Sequence, residues 1–296
     1  MIGKKSFGSK LFDISNILIV IMFSIFCVYP FYYMLCYSLS DPVLATKGIT
    51  LWVRGFTFNN YINVIKLKEI PQAALVSVTR TILGSSVTLF CSGFFAYLMT
   101  QQKMYFRKFI YRFVILTMYV GGGLIPTYLV MRYLGLRNNF LVYILPGAVS
   151  AYYVILIKTF IEQLPQSLEE SAKIEGAGIL MCWFRIIMPL SKPILATIVV
   201  FTMVGQWNSW FDAMIYMTRN NLKPLQLILY EYLQEAQRLS DRIREGIESG
   251  VKVDVSLTPD AIRMTVTAVI TIPILLVYPF MQRYFVKGIM IGAVKG

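Results

Sequence analysis

The sequence of 296 residues contains no histidine, only 15 acidic residues and four cysteines. Without histidine it lacks the most common general base and the most common metal ligand of proteins. It also has no Gly-x-x-x-x-Gly-Lys-Ser/Thr loop, so it cannot hydrolyse a nucleotide through that chemistry. The cysteine spacing indicates neither a disulfide framework nor a metal site. We therefore predict no catalytic residue, no bound cofactor and no metal site in this chain.

Charge is also scarce, since 15% of the residues are charged and 57% are hydrophobic, with a mean hydropathy of +0.63. A soluble chain of this length rarely has such a composition. A helix needs about 20 mainly apolar residues to cross a bilayer. Six stretches meet this requirement: about 14–39, 73–99, 109–131, 140–160, 193–217 and 264–285. The runs are continuous rather than alternating, which predicts an all-α, multi-pass membrane protein rather than a barrel.

The first apolar run follows several lysines but is too long for a secretory signal and has no small-residue cleavage pattern. We interpret it as a permanent span. Basic residues divide almost evenly between the two predicted sides, but the basic N-terminus and the 100–109 loop favour cytoplasmic N- and C-termini. A net charge of +13 is typical of contact with anionic membrane lipid. The sequence contains no module of basic and aromatic residues of the kind that nucleic-acid-binding proteins carry, so we do not predict nucleic-acid binding.

Two longer polar segments interrupt the spans on the predicted outer side, about 40–72 and 218–262. The first predicts an ordered loop followed by a short helix from Asn59. In the second, apolar residues recur at three and four positions over 225–247, which predicts a helix. Alternating charges place this helix in solvent. Two interpretations stay open, a solvated surface helix and a docking surface for another protein.

A third polar segment, 165–193, lies between two apolar runs. Three acidic residues fall close together in it: Glu169, Glu170 and Glu175. Ser167 with Glu170 forms a capping-box pattern, which predicts a helix beginning there. Glu169 and Lys173 are spaced to form an ion pair along that helix. Gly176 permits a left-handed backbone that ends the helix. The segment therefore predicts a helix-turn-helix knob at the membrane surface.

The knob sequence is similar to the Glu-Ala-Ala…Gly loop of binding-protein-dependent ABC importer permeases. The residues that carry this resemblance are Glu169-Glu170-Ser171-Ala172-Lys173-Ile174-Glu175-Gly176-Ala177, followed by Phe184, Ile187, Pro189 and Pro193. Ser171 replaces the usual first alanine, and Glu175 stands where the family often has aspartate. The resemblance implies a coupling helix that docks into a groove of an ATPase subunit. It assigns ATPase coupling to Glu169, Glu170, Ala172, Glu175, Gly176 and Ala177.

Other segments resemble the sugar-permease branch of this family. They are Ile125-Pro126-Thr127-Tyr128-Leu129, Leu134-Gly135-Leu136, Asn138, Trp207-Asn208, Pro224-Leu225-Gln226 and Tyr284-Phe285-Val286-Lys287-Gly288. The triple glycine from Gly121 to Gly123 looks like the sub-branch for polysaccharide-derived sugars. This resemblance implies an oligosaccharide substrate.

The triple glycine also has a physical meaning. Together with Pro126 it predicts a break in the third span, and broken spans often mark transport sites. Close packing of small residues between helices is the alternative. Sugars bind to aromatic faces and amides, so we predict a substrate pathway along Tyr119, Gly121, Gly122, Gly123, Tyr128, Gln206, Trp207, Asn208 and Trp210. Aromatic residues near span ends also serve as interfacial anchors, which remains the alternative for the tyrosines and tryptophans.

The resemblance implies a type I ABC importer permease with six transmembrane helices in the plasma membrane, working by alternating access. Its implied partners are a second homologous permease, two ATPase subunits that use ATP and Mg, and an extracytoplasmic sugar-binding protein. Residues 1–72 would form the N-terminus, first span and first outer loop. Residues 73–296 would form a five-helix core with a coupling loop at 165–190 and an outer helical loop at 218–262. The alternatives are an importer permease for another solute class, a stand-alone secondary carrier and a membrane-embedded enzyme.

Overall fold

The computed structural model describes residues 7–45, 47–48, 51–248, 260–261, 263–273 and 275. All regular elements in these ranges are helices, and an isolated bridge joins Ser40 to Phe56. The described residues fall into two compact units. One lies within 1–67 and 232–271, and the other within 68–231 and 272–296.

The first unit begins with the long helix α1, Phe7–Ser38. Its stretch Gly8–Ser38 is long and apolar enough to cross a membrane, and its large apolar side chains are exposed over most of its length. Such a surface suits contact with lipid, because hydrocarbon takes the place of a protein partner. The first predicted span therefore matches a helix in the structure.

Two short helices follow in the same unit, α2 (Pro42–Ala45) and α3 (Asn59–Lys66). The Asp41 carboxylate accepts hydrogen bonds from the first backbone amides of α2. The Asn60 amide donates to the carbonyls of Ser38 and Ser40 at 2.9 and 2.8 Å, which ties α3 to the end of α1. The predicted short helix from Asn59 is confirmed.

The second unit is built around α4, Glu69–Thr100, which is also long and apolar enough to cross a membrane. The predicted third span consists of two helices, α5 (Arg107–Tyr119) and α6 (Leu124–Tyr133). The chain leaves the helical path between them, and Gly123 has a φ of +78°. A positive φ is readily adopted only by glycine. The predicted break at the triple glycine is confirmed.

The fourth predicted span, 140–160, is wrong as a continuous helix. A 3₁₀ turn, Phe140–Tyr143, and an irregular segment precede the helix α7, Ala151–Ile161. Pro146 and Gly147 both disfavour a helix there. Two side chains of α4 bond to the irregular backbone: Thr88 donates to the Gly147 carbonyl at 2.8 Å, and Ser92 Oγ accepts from the Ser150 amide at 3.0 Å. These partners allow non-helical backbone inside a membrane protein.

The remaining elements of this unit follow along the chain: α8 (Gln166–Ile174), α9 (Ile179–Cys182), a π-helical turn (Trp183–Ile187), α10 (Met188–Leu190), α11 (Lys192–Asn208), α12 (Phe211–Tyr216), a 3₁₀ turn (Asn220–Leu222) and α13 (Leu225–Glu248), which continues into the first unit. The helical stretches before and after Ser191 are bent by 84°. The predicted fifth span, 193–217, is interrupted between α11 and α12. The predicted helix over 225–247 is confirmed.

The sixth predicted span begins in described residues, since 263–273 are helical. Positions 276–285 of that span, and the similar segment 284–288, lie outside the described residues, as do 249–259 of the outer loop. The division of the chain at residue 72 stays a prediction.

Trp183 belongs to a cluster of buried side chains in the second unit. Its ring stacks on Tyr97 with ring centroids 5.5 Å apart, and Phe94 approaches its edge. Gly93 of α4 leaves room for the indole, because an added Cβ there would lie 3.2 Å from the ring. The π-helical turn is thereby anchored to α4.

We expect Trp183→Ala to lower the free energy of unfolding by about 3–5 kcal/mol, the usual cost of deleting a buried tryptophan side chain. Thermal unfolding of the detergent-solubilised protein measures this loss. Trp52→Ala is the matched control, since Trp52 is largely exposed. Equal unfolding temperatures for the two variants would contradict the role given to Trp183.

Candidate functional site

The knob predicted from the charged segment is present as α8 and the turn that follows it. The predicted capping box is wrong, because α8 begins at Gln166 after Pro165 and Ser167 lies inside it. The fixed φ of Pro165 prepares the helical start without a side-chain cap. At the other end, Gly176 has a φ of +87°, and the Ala177 amide donates to the Ala172 carbonyl at 2.9 Å. This is a Schellman motif, so the predicted left-handed stop at Gly176 is confirmed.

Glu169 points back towards the membrane helices. Its Oε1 accepts hydrogen bonds from Tyr97 of α4 and from Gln101, which directly follows α4, both at 2.8 Å. The Lys173 ammonium lies 2.7 Å from the same oxygen, which confirms the predicted ion pair along the helix. With its side chain only 17% exposed, Glu169 binds the knob to the C-terminal end of α4.

The environment of Glu169 affects its pKa in two opposing ways. Partial burial raises the pKa. The hydrogen bonds from Lys173, Tyr97 and Gln101 lower it by more than burial raises it, so the pKa lies below its ordinary value of 4.5. A lowered pKa means that this carboxylate stabilises the folded state above pH 4.5 and stops doing so as the pH falls through the lowered pKa. The attachment of the knob is therefore insensitive to pH near neutrality.

Some of the other predicted coupling residues are exposed to solvent, and the rest pack against the protein core. Glu170, Glu175 and Gly176 are exposed, and neighbouring Ile174 is 87% exposed. Ala172 and Ala177 pack against the cluster around Trp183. A cavity of about 640 Å³ is lined by residues of α8 and by residues at the ends of α4 and α7. The knob thus exposes carboxylates and one large apolar side chain, whereas Ala172 and Ala177 fix it to the core.

A second site lies in the first half of α4, around the buried Arg80, which is 1% exposed. Its Nη2 lies 2.6 Å from Asp212 Oδ2, and its guanidinium carbon lies 4.1 Å from the centre of the Tyr143 ring. Nε and Nη2 both donate to Gln206 Oε1, and Nη1 donates to the Ser209 carbonyl at 3.1 Å. We call these five residues the Arg80 cluster.

The Arg80 cluster explains the break between α11 and α12. Residue 209 ends the helical path, and its carbonyl bonds to Arg80. Asp212, 28% exposed, also accepts from the Ser209 hydroxyl and the Ala213 amide at 2.9 and 2.8 Å. Gly84 of α4 lets Gln206 approach, because an added Cβ would lie 2.6 Å from its amide nitrogen. The buried charge is therefore neutralised and its hydrogen bonds are made.

Neither Arg80, in the second predicted span, nor Asp212, in the fifth, was predicted to be a site residue, so the Arg80 cluster was missed. Ionisable residues in spans are costly and pair with one another. Two opposite charges, one in each of two predicted spans, were the signal that could have found it.

A cavity of about 360 Å³ opens beside the Arg80 cluster, within the size range of small-molecule sites. Aromatic side chains in its lining are Tyr143, Tyr153, Phe201 and Tyr216. Polar side chains in its lining include Thr88, Thr127, Ser150, Thr202 and Gln206. It combines apolar ring faces with hydrogen-bonding groups, which suits a ligand that is both flat and rich in hydroxyls.

The predicted pathway residues are dispersed in the structure. Gln206 lines the 360 Å³ cavity. Tyr128 stacks on Tyr216, a lining residue, with centroids 5.9 Å apart. Tyr119 is 81% exposed, and the triple glycine beside it is also exposed.

The remaining three follow one another near the end of α11. Trp210 stacks on Tyr230 of α13 with centroids 4.2 Å apart, and Asn208 accepts from Gln226 at 3.2 Å. Trp207 is half-buried. Asn208 and Trp210 thus hold the first turns of α13 against the end of α11 and the start of α12. Their role in a substrate pathway stays a prediction.

Comparison with known proteins gives three findings. The family described as "Binding-protein-dependent transport system inner membrane component" matches residues 89–291. The chain is 36% identical to the polygalacturonan/rhamnogalacturonan transport system permease protein YtcP of Bacillus subtilis (strain 168), over 97% of this chain and 99% of that protein. It is also 36% identical to Protein LplC of the same organism, over 98% and 96% of the two chains.

Among solved structures, the chain is similar to a component of a bacterial ABC transporter involved in the import of the acidic polysaccharide alginate. The TM-score is 0.84 at 26% identity, covering 96% of this chain and 99% of that one. The likeness thus extends over nearly the whole length of both chains.

Proposed function

The chain belongs to the family of binding-protein-dependent transport system inner membrane components, and we propose that it imports an oligosaccharide by alternating access driven by partner ATPases. It is a membrane-spanning permease subunit of an ABC sugar importer with the all-α, type I permease fold. It is a transport protein rather than an enzyme. The observation that carries the proposed mechanism is the knob, which is exposed on one face and fixed to α4 on the other.

The exposed face of the knob is where an ATPase subunit would dock. Glu170 and Glu175 offer carboxylates to basic side chains, and Ile174 offers an apolar anchor. Interfaces of this kind combine a buried apolar contact with charged partners at the rim. A movement of the ATPase would then pass to α4 through Glu169 and to α11 through Trp183.

The proposed assembly places the knob and both chain termini in the cytoplasm of a cell bounded by the plasma membrane. A second homologous permease completes the membrane part, and two ATPase subunits bind and hydrolyse ATP with Mg. An extracytoplasmic sugar-binding protein delivers the oligosaccharide at the outer side, where α13 lies. Membrane lipid covers the apolar surface of α1. This chain itself breaks no bond and holds no cofactor.

The substrate class follows from the relatives and from the cavity. The relatives' names refer to polygalacturonan, rhamnogalacturonan and alginate. The 360 Å³ cavity offers aromatic and hydroxyl groups, the pattern that sugars require. We therefore propose an oligosaccharide released from a polysaccharide as the substrate.

Uptake into liposomes tests the proposal. The permease is reconstituted with its partner permease, ATPases and binding protein, and oligosaccharides from pectin and alginate are offered with and without ATP. We expect uptake only when ATP and ATPases are both present. Uptake by this chain alone under an ion gradient would instead support a secondary carrier, and failure of the complete assembly to import any of these sugars would overturn the proposal.

A further inference from the structure

We propose that the 360 Å³ cavity beside the Arg80 cluster is a sugar subsite within this subunit, and that it takes a neutral ring rather than a uronate. This inference rests on the oligosaccharide-importer function proposed above and refines it. It assigns a ligand class to side chains from α4, α11, α12 and the irregular segment before α7.

The apolar part of the subsite comes from aromatic side chains on separate elements. Tyr153 lies on α7, Phe201 on α11 and Tyr216 at the end of α12, and all three line the cavity. Tyr216 is held in place by the nearly parallel ring of Tyr128, at an interplanar angle of 9°. Fixed aromatic walls bind a flat ligand at a small cost in side-chain entropy.

The polar part offers hydrogen-bond acceptors to the ligand. Thr88 already donates its hydroxyl proton to the Gly147 carbonyl, and Thr202 donates to the Ile198 carbonyl. A hydroxyl that has used its proton keeps lone pairs for a second partner. Asp212 adds a carboxylate at the cavity surface. These groups suit a ligand with several hydroxyl donors, as a sugar ring has.

The charge distribution decides which sugar fits. Among the residues that line this cavity, Arg80 and Asp212 are the charged ones. The donors of Arg80 are directed at Gln206, Ser209 and Asp212, and Tyr143 covers its face, so it has no surface to offer a ligand carboxylate. Asp212 is the more exposed member of the pair. A ligand carboxylate would therefore find no free cation among these lining residues to pair with and would be costly to bury, whereas the cavity can accept hydrogen bonds from a neutral sugar.

Two lining positions allow the cavity to be filled by substitution. At Gly205 of α11 an added Cβ would meet no atom within 4 Å, so a larger side chain has room to enter. Ser150, just before α7, lines the cavity from another element. Gly205→Phe and Ser150→Phe fill it, whereas Gly205→Ala and Ser150→Ala are the matched controls.

Binding is measured on the assembled transporter in nanodiscs by saturation-transfer NMR, with galactotriose as the neutral probe and trigalacturonate as the acidic one. We expect galactotriose binding to wild type and to both alanine variants, and at least a fivefold loss of its signal in both phenylalanine variants. The trigalacturonate signal is expected to be the same in all five proteins. Size-exclusion profiles and retained ATPase subunits show whether each variant has assembled.

Galactotriose binding that is absent in wild type, or unchanged in both phenylalanine variants, would overturn the subsite. Loss of trigalacturonate binding in those variants would overturn the choice of a neutral ring. The liposome uptake described above, with the full set of pectin and alginate oligosaccharides, is the separate test of importer function. If wild type imports sugars but the cavity variants bind galactotriose normally, the subsite fails and the importer function stands.

Discussion

Replacing Asp212 with alanine is expected to destabilise the permease by about 3–5 kcal/mol, because Arg80 would be left buried without its counter-ion. Arg80 is 1% exposed, and its charge is paired with Asp212. Thermal unfolding of the solubilised protein, followed by size-exclusion chromatography, measures the effect. We expect most of the protein to be lost from the monodisperse peak at growth temperature.

The double variant Arg80→Met/Asp212→Leu distinguishes a lost charge partner from lost packing. Apolar replacement of a whole buried ion pair is often neutral or stabilising, so we expect it to recover most of the stability. Glu231→Ala is the control for an exposed pair, since Glu231 and Lys223 form a surface ion pair at 2.6 Å and such pairs contribute at most about 1 kcal/mol. A double variant as unstable as Asp212→Ala would contradict this account.

Glu169 and Glu170 are adjacent, but we expect their substitution to disrupt transport at different steps. One variant should lose binding of the ATPase, and the other should lose the coupling of ATP hydrolysis to uptake. Glu170→Lys reverses a charge on the exposed face of the knob and should abolish sugar uptake by preventing docking of the ATPase, with the permease itself unchanged in stability. Glu169→Ala removes the acceptor that joins α8 to Tyr97 and Gln101. We expect the ATPase to remain bound in that variant but its ATP hydrolysis to continue without uptake.

Co-purification of the ATPase with the tagged permease, ATP hydrolysis and liposome uptake separate these two outcomes. Glu162→Lys is the matched control, because Glu162 lies near the knob but outside α8 and pairs with Lys158. We expect it to bind the ATPase and import sugar nearly as wild type does. If Glu170→Lys retains the ATPase and full uptake, the exposed face of the knob is not the docking surface.

The knob could be predicted from sequence because its determinants are local. Gly176, with its positive φ, and the Glu169–Lys173 pair act over one or two helical turns. The direction of Glu169 could not be predicted, because its partners Tyr97 and Gln101 lie about 70 positions earlier in the chain. Glu169 and Glu170 were therefore predicted to have the same coupling role, whereas the structure buries most of Glu169 against α4 and leaves Glu170 exposed.

The spans show the same limit on a larger scale. Hydropathy measures composition, so it merged Pro146, Gly147 and their neighbours into one continuous span. The triple glycine was an adequate local signal for the break in the third span. The break after Asn208 has no such signal, because it depends on Arg80, which lies 132 positions before Asp212. A break in a helix that is stabilised by side chains far away in the sequence cannot be predicted from the local sequence pattern.

The single helix α4 carries both sites. Arg80 and Thr100 lie 20 residues apart on it, about 30 Å at 1.5 Å per residue. Under the proposed coupling α4 acts as a connecting rod, with the knob tied to its C-terminal end and the Arg80 cluster bound 20 residues earlier on the same helix. A movement of the knob driven by an ATPase would then be carried along the helix to the cavity beside the Arg80 cluster. The stiffness of α4 would then determine how much of the displacement at the knob is transmitted to the substrate cavity.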